Sequence, residues 1–452
     1  MTALGIELND AALIAADAGG IRYCEPGYAI EQDGALVTGA AAARYRRLQP
    51  RRICSRYWAE MSDDSLPQSV VGNASFADLV HAQLERMWLE CGSGARSVYL
   101  AVPPCWSGEQ LGLLLGIAEE LKIPVAGLAP TALAGARREY PGRDVYYLEA
   151  TLLSTSIQSV EQQGQASAGP AELIGGLGIA ALERAAVDYI ARRLLECSRF
   201  DPMQDASNEQ LLFDRLPEWL RSLHQEETLD IDIQNKQWEF SAQLLATGLA
   251  DAVQDCFEPV LQRLRAVLPG DRPVALLVHD SLRAFPGLVS LLSAATGAEV
   301  FILEPGAAAR GVLARQQSFT SGFALAAGLP WDQEPLAGDG PAVGAAGGSQ
   351  PTHLLYRSSA YRLGTNPLCV GANPPDGVFR IEVPQAAGIS RHHFSIEAAD
   401  GGFRLLDHSR YGTSLNGHRV EGSTMLRAGD VITIGQSATR LELIAEQPDG
   451  EG

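Results

Sequence analysis

Residues 389–417 read I-S-R-H-H-F-S-I-E-A-A-D-G-G-F-R-L-L-D-H-S-R-Y-G-T-S-L-N-G. Apolar residues at Phe394, Ile396, Phe403 and Leu405 alternate with their neighbours, the period-two pattern of strands with one buried face. Asp400-Gly401-Gly402 between them supplies turn chemistry, so the stretch predicts a hairpin. Small hydroxyl residues and arginines sit on either side, as Ser390-Arg391 and as Ser409-Arg410-Tyr411-Gly412-Thr413. Loops at one end of a sandwich lie side by side. Hydroxyls, guanidinium groups and backbone N–H groups from these two can therefore converge on one anion.

This stretch resembles the forkhead-associated (FHA) domain, a reader of phosphothreonine peptides, and the resemblance runs over about residues 352–446. Ser390-Arg391-His392-His393 matches the family's Ser-x-x-His. Residues 409–417 match its Ser-x-Asn-Gly-Thr-x-x-Asn-Gly, with Tyr411 in place of the first Asn. The resemblance implies that Ser390 and Arg391 hold the phosphate and that Arg410 and Tyr411 contact the phosphothreonine and the peptide backbone. It implies that His393, Gly412, Thr413 and Asn416 brace the loops. The expected phosphopeptide site is then Ser390, Arg391, Arg410, Tyr411, Thr413 and Asn416. One position departs: Gly364-Thr365 stands where the family carries Gly-Arg. A charge-assisted hydrogen bond contributes about 1.5–3 kcal/mol, so this loss lowers phosphate affinity by about one to two orders of magnitude. Arg391 and Arg410 are placed to compensate, and a binding module without phosphate dependence stays open as the other reading.

The chain has 452 residues, too many for one ordinary core, and 46% of them are hydrophobic. The first residues lack a basic segment followed by an apolar core, and no run of about eighteen apolar residues occurs. A cytoplasmic protein without direct membrane insertion is expected. A net charge of −19 argues against sequence-independent nucleic-acid binding, which needs a basic surface. The basic run at 44–52 (R-Y-R-R-L-Q-P-R-R) reads as a solvated helix end. The seven cysteines are odd in number and contain no Cys-x-x-Cys pair, so they read as reduced, mostly buried thiols. His392-His393 lacks further ligands at metal spacing. On a strand the two would face opposite ways, one belonging to the fold and the other exposed. The Ala, Gly and Arg bias, with Lys122 and Lys236 the chain's lysines, suggests a bacterial source.

Taken in order, residues 3–16 form two short strands around Asn9-Asp10, followed by a hairpin with turns at Pro26-Gly27 and Asp33-Gly34. Phe76, Leu79, Val80, Leu84, Met87 and Trp88 recur at helical spacing. Next come the strand S-V-Y-L-A-V-P, a helix over 107–121, the strand V-A-G-L and a helix started near Pro130. Two adjacent strands follow in V-Y-Y-L-E-A-T-L-L-S-T-S-I-Q-S-V. The alternation points to an α/β domain.

The order of these elements resembles the α/β actin-like ATPase (ribonuclease H-like) fold of two lobes, closest to the nucleotide-binding domain of the seventy-kilodalton heat-shock chaperones. The stretches that carry the resemblance are Gly5-Ile6-Glu7-Leu8, Val102-Pro103, Ala129-Pro130-Thr131-Ala132, I-G-G-L-G-I-A-A-L-E-R at 174–184, and Glu304-Pro305-Gly306 through Gly311. That family cradles phosphates with glycine-rich turns, because only glycine lets backbone N–H groups approach an oxyanion so closely. It adds carboxylates to place Mg²⁺ and water. Here Glu7-Leu8-Asn9-Asp10-Ala11 replaces Asp-Leu-Gly-Thr-Thr, and Tyr147-Leu148-Glu149-Ala150-Thr151-Leu152 replaces Asp-Leu-Gly-Gly-Gly-Thr. His279-Asp280-Ser281 replaces the adenosine Gly-Gly-Ser, and Ala129 replaces the catalytic Glu. Glu149 in a phosphate cradle would repel the nucleotide. The degenerate cleft positions are Glu7, Asn9, Asp10, Glu149, Thr151 and Asp280. Glu7, Asn9, Asp10 and Asp280 read as loop-surface polar residues rather than a rebuilt metal site.

The expected organisation is an actin-like domain over 1–331, a Gly/Pro/Ala-rich flexible linker over 332–351, an all-β FHA sandwich over 352–446 and a disordered tail over 447–452. A coil of that linker's length spans about 25 Å. The expected function is a non-catalytic scaffold or adaptor with no catalytic residues, metal or cofactor: a pseudo-ATPase platform for a protein partner, joined to a module that docks a threonine-phosphorylated segment. A Ser/Thr kinase pathway or a secretion-type assembly would be its setting. The alternative is an active ATPase or chaperone-like protein, using ATP and Mg²⁺ and localised by its FHA domain.

Overall fold

The computed structural model describes the chain apart from residues 1, 65, 67–73, 236–237, 271, 320–323, 337–350, 357–358, 365, 376–378, 384–387, 400–401, 416–417, 421, 428–429, 436–438 and 445–452. The expected tail and most of the expected linker lie outside the described residues, as do Thr365, Asn416 and the Asp400-Gly401 turn. Contacts divide the chain into two units, Met1–Gly340 and Pro341–Gly452.

The first unit is mixed α/β and contains two large sheets. One runs in the order Gly20–Glu25, Leu13–Asp17, Thr2–Glu7, Ala95–Val102, Val125–Pro130. Its first three strands are antiparallel neighbours and its last three are parallel ones. The other repeats that order and sense with Ala166–Gly175, Ser154–Gln162, Asp144–Ala150, Val274–Val278 and Glu299–Ile302. Gly328–Leu329 adds an outer strand beside Ala166–Gly175.

Apolar stripes explain how helices cover these sheets. Phe76–Cys91 buries Leu79, Val80, Leu84 and Met87 against the first sheet and is started by a Ser75/Asp78 capping box. On the second sheet Ile179–Ser198, Ala206–Leu223, Ala246–Val267 and Leu288–Thr296 form a larger core around Phe213, Phe257 and Leu276. Burying each such side chain contributes about 1.5–3 kcal/mol. Between the sheets lie the small-residue helices Thr131–Gly135 and Ala307–Ala314. Glycine permits that approach: a Cβ at Gly5 would sit 2.0 Å from Ala309 O, and one at Gly311 would sit 1.8 Å from Ala134 O.

Several sequence expectations need correction. The basic run is only in part a solvated helix end: its helix is Ala40–Ala43 and Arg44, Arg51 and Arg52 are exposed, but Arg46 and Arg47 reach across to the second sheet's helices. Arg46 Nη1 lies 2.6 Å from Glu183 Oε2 and Arg46 Nη2 donates to Phe213 O, while the guanidinium groups of Arg46 and Arg47 each lie 4.3 Å from the Phe213 ring centroid. Aromatic faces and carboxylates there outcompete water for the guanidinium groups. The thiols are free as expected, but only Cys54 and Cys369 are buried, whereas Cys24, Cys105 and Cys197 are exposed. The start of the expected linker is anchored: Asp332 N and Gln333 N donate to Arg137 O, Leu336 N donates to Glu139 O, and Asp332 pairs with Arg137.

The second unit is a β-sandwich. One sheet is ordered Ser359–Arg362, His353–Tyr356, Thr439–Ile444, Val431–Ile434, Thr413–Leu415, His418–Arg419. The other is ordered Phe379–Glu382, Leu368–Gly371, Phe394–Ala399, Gly402–Asp407, Ser423–Leu426. Alternate residues of both, including Leu354, Val370, Phe394, Ile396, Leu405, Ile432 and Leu441, fill the core between them.

Candidate functional site

In the first unit, the sequence's cleft positions come together at the carboxyl ends of Thr2–Glu7, Asp144–Ala150 and Val274–Val278, but not as surface residues. Glu7, Asn9 and Glu149 are fully buried, and Asp10 and Thr151 are nearly so. Asn9 Nδ2 donates to Glu149 Oε1 at 2.8 Å and to Ala150 O at 3.1 Å. The other carboxylate oxygen of Glu149 accepts from Thr131 Oγ1. Asp10 Oδ1 accepts from Leu152 N at 2.6 Å, while Asp10 Oδ2 is buried with no hydrogen-bond partner among the described residues. Burial is costly for an unpaired charge, and Glu149 Oε1, Asp10 Oδ1 and Glu7 Oε1 each meet a group brought from the other sheet.

His279 completes this network. Its Nε2 lies 2.6 Å from Glu7 Oε1, and Glu7 Oε2 accepts from Ala308 N and Ala309 N at the start of Ala307–Ala314. Ser281 Oγ donates to Ala150 O at 2.9 Å and lies 2.9 Å from His279 Nδ1. Ser281 N lies 3.1 Å from the same Nδ1, and the acids around the ring favour a positive charge on it. Burial opposes that charge, yet Glu7, by charge and hydrogen bond, with Asp280 and Glu149 beyond it, pushes the imidazole up to about 10. Burial raises Glu149 above the usual carboxylate range. It also pushes Asp10 up to about 7, against the opposing Leu152 N–H and with help from the Glu149 charge. Glu7, His279 and Asp280 bring three possible metal-ligand atoms within 4.8 Å of one another. Both Glu7 oxygens and both His279 nitrogens of that set already face partners inside the network.

In the second unit, two loops meet at one end of the sandwich, as their spacing predicts. Ser390 Oγ accepts from Arg410 N at 3.1 Å, which leaves its hydroxyl hydrogen available to an anion. His393 is fully buried. Its Nδ1 accepts from Ser390 N at 3.0 Å and its Nε2–H donates to Gly412 O at 3.3 Å, one neutral tautomer bracing both loops. Burial holds its pKa below the ordinary value. Arg391, Arg410 and Tyr411 are exposed, and the Arg410 guanidinium lies 5.9 Å from the Tyr411 ring centroid. Backbone N–H, hydroxyl and guanidinium donors thus face one end of the sandwich.

That arrangement agrees with the comparison of this segment with family models. Residues 369–435 are an FHA domain. No curated protein matches the chain. FHA domains bind phosphothreonine-containing protein partners, which makes this unit a protein-interaction module.

Within the FHA domain Ser390, Arg391, Arg410 and Tyr411 lie at the loop end, and Thr413 is buried beneath them. His392 departs from expectation. The strand begins only at Phe394, so strand alternation does not turn His392 outward, and its half-buried ring lies 4.2 Å from that of His408, tilted by 32°.

Sequence reading missed Asp407, which ties the second loop together. Its carboxylate accepts from Ser409 N at 2.9 Å, Thr413 N at 3.2 Å and Thr413 Oγ1 at 2.8 Å. Burial raises this carboxyl, but those bonds from Ser409 and Thr413 outweigh it and hold the group below the usual range. The signal was an Asp opening a run of small polar residues, the composition of an Asx-turn. Asp407→Ala is expected to destabilise the FHA domain by about 1–3 kcal/mol, the cost of leaving such donors unpaired, and to raise proteolytic cleavage within residues 408–412. Limited proteolysis with mass spectrometry reads both the rate and the place. Cleavage at the wild-type rate contradicts this role.

Proposed function

We propose that the protein is a non-catalytic adaptor. Its FHA domain docks a threonine-phosphorylated segment of a protein partner, and its first unit is an actin-like ATPase fold that has lost its nucleotide site and serves as a protein-binding platform. The repeated sheet, with one strand order and one pattern of parallel and antiparallel neighbours in both halves, supports the fold reading.

The observation that carries the loss of nucleotide is the closed network of Glu149, Asn9, Thr131, Glu7 and His279. A triphosphate would have to displace buried groups that already satisfy one another, with Glu149 and Glu7 carboxylates facing it and no backbone cradle to replace them. The cavity beside Asp10, bounded by Trp58, Cys105, Trp106, Thr151 and Ser154, holds about 80 Å³. Sites for drug-sized ligands run to about 300–1,000 Å³. Residues present here therefore do not fit ATP with Mg²⁺.

No helix among the described residues is long and apolar enough to cross a membrane. A cytoplasmic role in a bacterial Ser/Thr kinase pathway or a secretion-type assembly accords with the pairing of a phosphothreonine reader and a platform domain. Titration with ATP and Mg²⁺ is expected to give no calorimetric heat of binding and no thermal shift. Glu149→Gly, which removes one carboxylate and leaves Glu7 and Asn9 in place, is expected not to restore binding. Saturable micromolar affinity in the wild-type chain would overturn the pseudo-ATPase reading.

A further inference from the structure

The strand His418–Arg419 pairs with Thr413–Leu415, placing Arg419 opposite Ser414. Val420, next along the chain, is buried, whereas Arg419 is exposed. Its guanidinium lies against Gly412. A Cβ at residue 412 would sit 2.8 Å from Arg419 Nε and 3.1 Å from both Cζ and Nη2. Gly412 also has φ +98°, a conformation that favours glycine. Any side chain at this position would therefore strain the loop and evict the guanidinium.

Gly412 belongs to the loop that carries the phosphopeptide candidates. Its N–H donates to Ser409 Oγ at 2.7 Å and its carbonyl accepts from His393 Nε2, and two residues earlier Arg410 N meets Ser390 Oγ. No hydrogen bond or ion pair joins Arg419 to another described residue. An exposed guanidinium with no side-chain partner among the described residues, seated against a loop of converging donors in a chain with net charge −19, is a cation left for an anionic ligand.

We propose that Arg419 is a phosphate-binding residue of the FHA domain, adding its guanidinium to the Ser390 hydroxyl and Arg391 around the peptide's phosphothreonine. The inference rests on the phosphothreonine reading of the domain. It assigns a binding role to a strand residue outside both loop motifs.

The test uses the full chain and peptide pairs that differ only in threonine phosphorylation and contain no Asp or Glu, so that the phosphate is the sole side-chain anion. A library screen for wild-type retention selects the pair, and fluorescence anisotropy measures it. Arg419→Gln is expected to weaken binding of the phosphorylated peptide tenfold or more, without changing that of the unphosphorylated one. Arg419→Lys, which keeps the charge and loses the planar fork, is expected to fall between. Unfolding midpoints equal to wild type exclude a folding defect, as the exposed side chain predicts. Wild-type phosphate preference retained in Arg419→Gln, or an equal loss for both peptides, overturns the inference while leaving the phosphothreonine reading intact. A wild-type chain with no phosphate preference for any peptide overturns the reading and this inference together.

Discussion

Replacing His279 by alanine is expected to destabilise the first unit by about 3–5 kcal/mol, the range for removing one partner of a buried charge pair. Glu7 has no exposed surface, and the contact to His279 Nε2 at 2.6 Å supplies its compensating positive charge. After the substitution Glu7 keeps only the N–H groups of Ala308 and Ala309. Ser281 loses the imidazole as well, so the Ala150 end of the network loosens with it. All six tryptophans of the chain precede residue 332, so tryptophan fluorescence during urea unfolding reports on the first unit without interference from the FHA domain. His279→Gln, which can still donate to Glu7, is expected to lose less. A loss below about 1 kcal/mol in His279→Ala, within the span of an ordinary neutral hydrogen bond, would mean that the pair is not what holds this cleft together.

The same pair sets a pH dependence. The His279 pKa rises from 6.5 to about 10 on folding, so between those values the folded state binds more protons than the unfolded one. Its contribution is fully present below about 6.5 and is lost as pH rises toward 10, with a slope of at most about 1.4 kcal/mol per pH unit. Asp10, raised from 3.8 to about 7, acts in the same sense at lower pH: what its buried protonated form contributes is lost as pH rises from about 4 to 7. Urea midpoints measured between pH 7 and 10 are expected to fall in the wild-type chain and to stay level in His279→Ala. Parallel curves would rule out the ring as the source.

The second large effect concerns binding. Ser390→Ala with Arg391→Ala is expected to abolish phosphate-dependent retention of a phosphothreonine peptide. A charge-assisted hydrogen bond contributes about 1.5–3 kcal/mol, so removing each such bond weakens affinity about ten- to a hundredfold. Ser390 also receives Arg410 N, so its removal loosens the second loop as well as deleting a ligand. Arg391 is exposed, and Arg391→Ala alone isolates the ligand effect from the structural one. Retention that is equal for phosphorylated and unphosphorylated peptides in the wild type would make the module a constitutive binder. Unchanged preference in the double variant would move the phosphate elsewhere.

How much could be read beforehand differed between the two units. The FHA loops were legible because their groups lie close in sequence: Ser390 meets Arg410 twenty residues away, and His393 meets Gly412 nineteen away. Strand periodicity and two short motifs place such residues without knowledge of the wider fold. Arg419 and Asp407 escaped because their roles depend on which loop a strand end passes beneath. In the first unit, the polar residues at positions 7–10 and 149–151 were visible but their setting was misjudged. Residues read as loop-surface polar groups are buried, because Glu7 meets His279 across 272 positions and Asn9 meets Glu149 across 140. Glu149, read as a charge that repels nucleotide, is also a buried acceptor tied to Asn9 and Thr131, which the local pattern does not show.

Sequence alone determined the strand-helix alternation of the N-terminal part, the apolar face of Phe76–Cys91 and the hairpin and loop motifs of the C-terminal unit. Periodicity and turn chemistry are local properties, so the chain carries them in plain view. Tertiary structure alone decided that the acids left in the cleft are paired and enclosed, that Arg46 and Arg47 close onto Phe213 rather than face solvent, and that Arg419 rests beside Gly412. Each of these depends on a partner that local sequence pattern does not specify. Whether a charge is solvated, paired or left for a ligand is fixed by which groups the folded chain brings within a few ångströms of it.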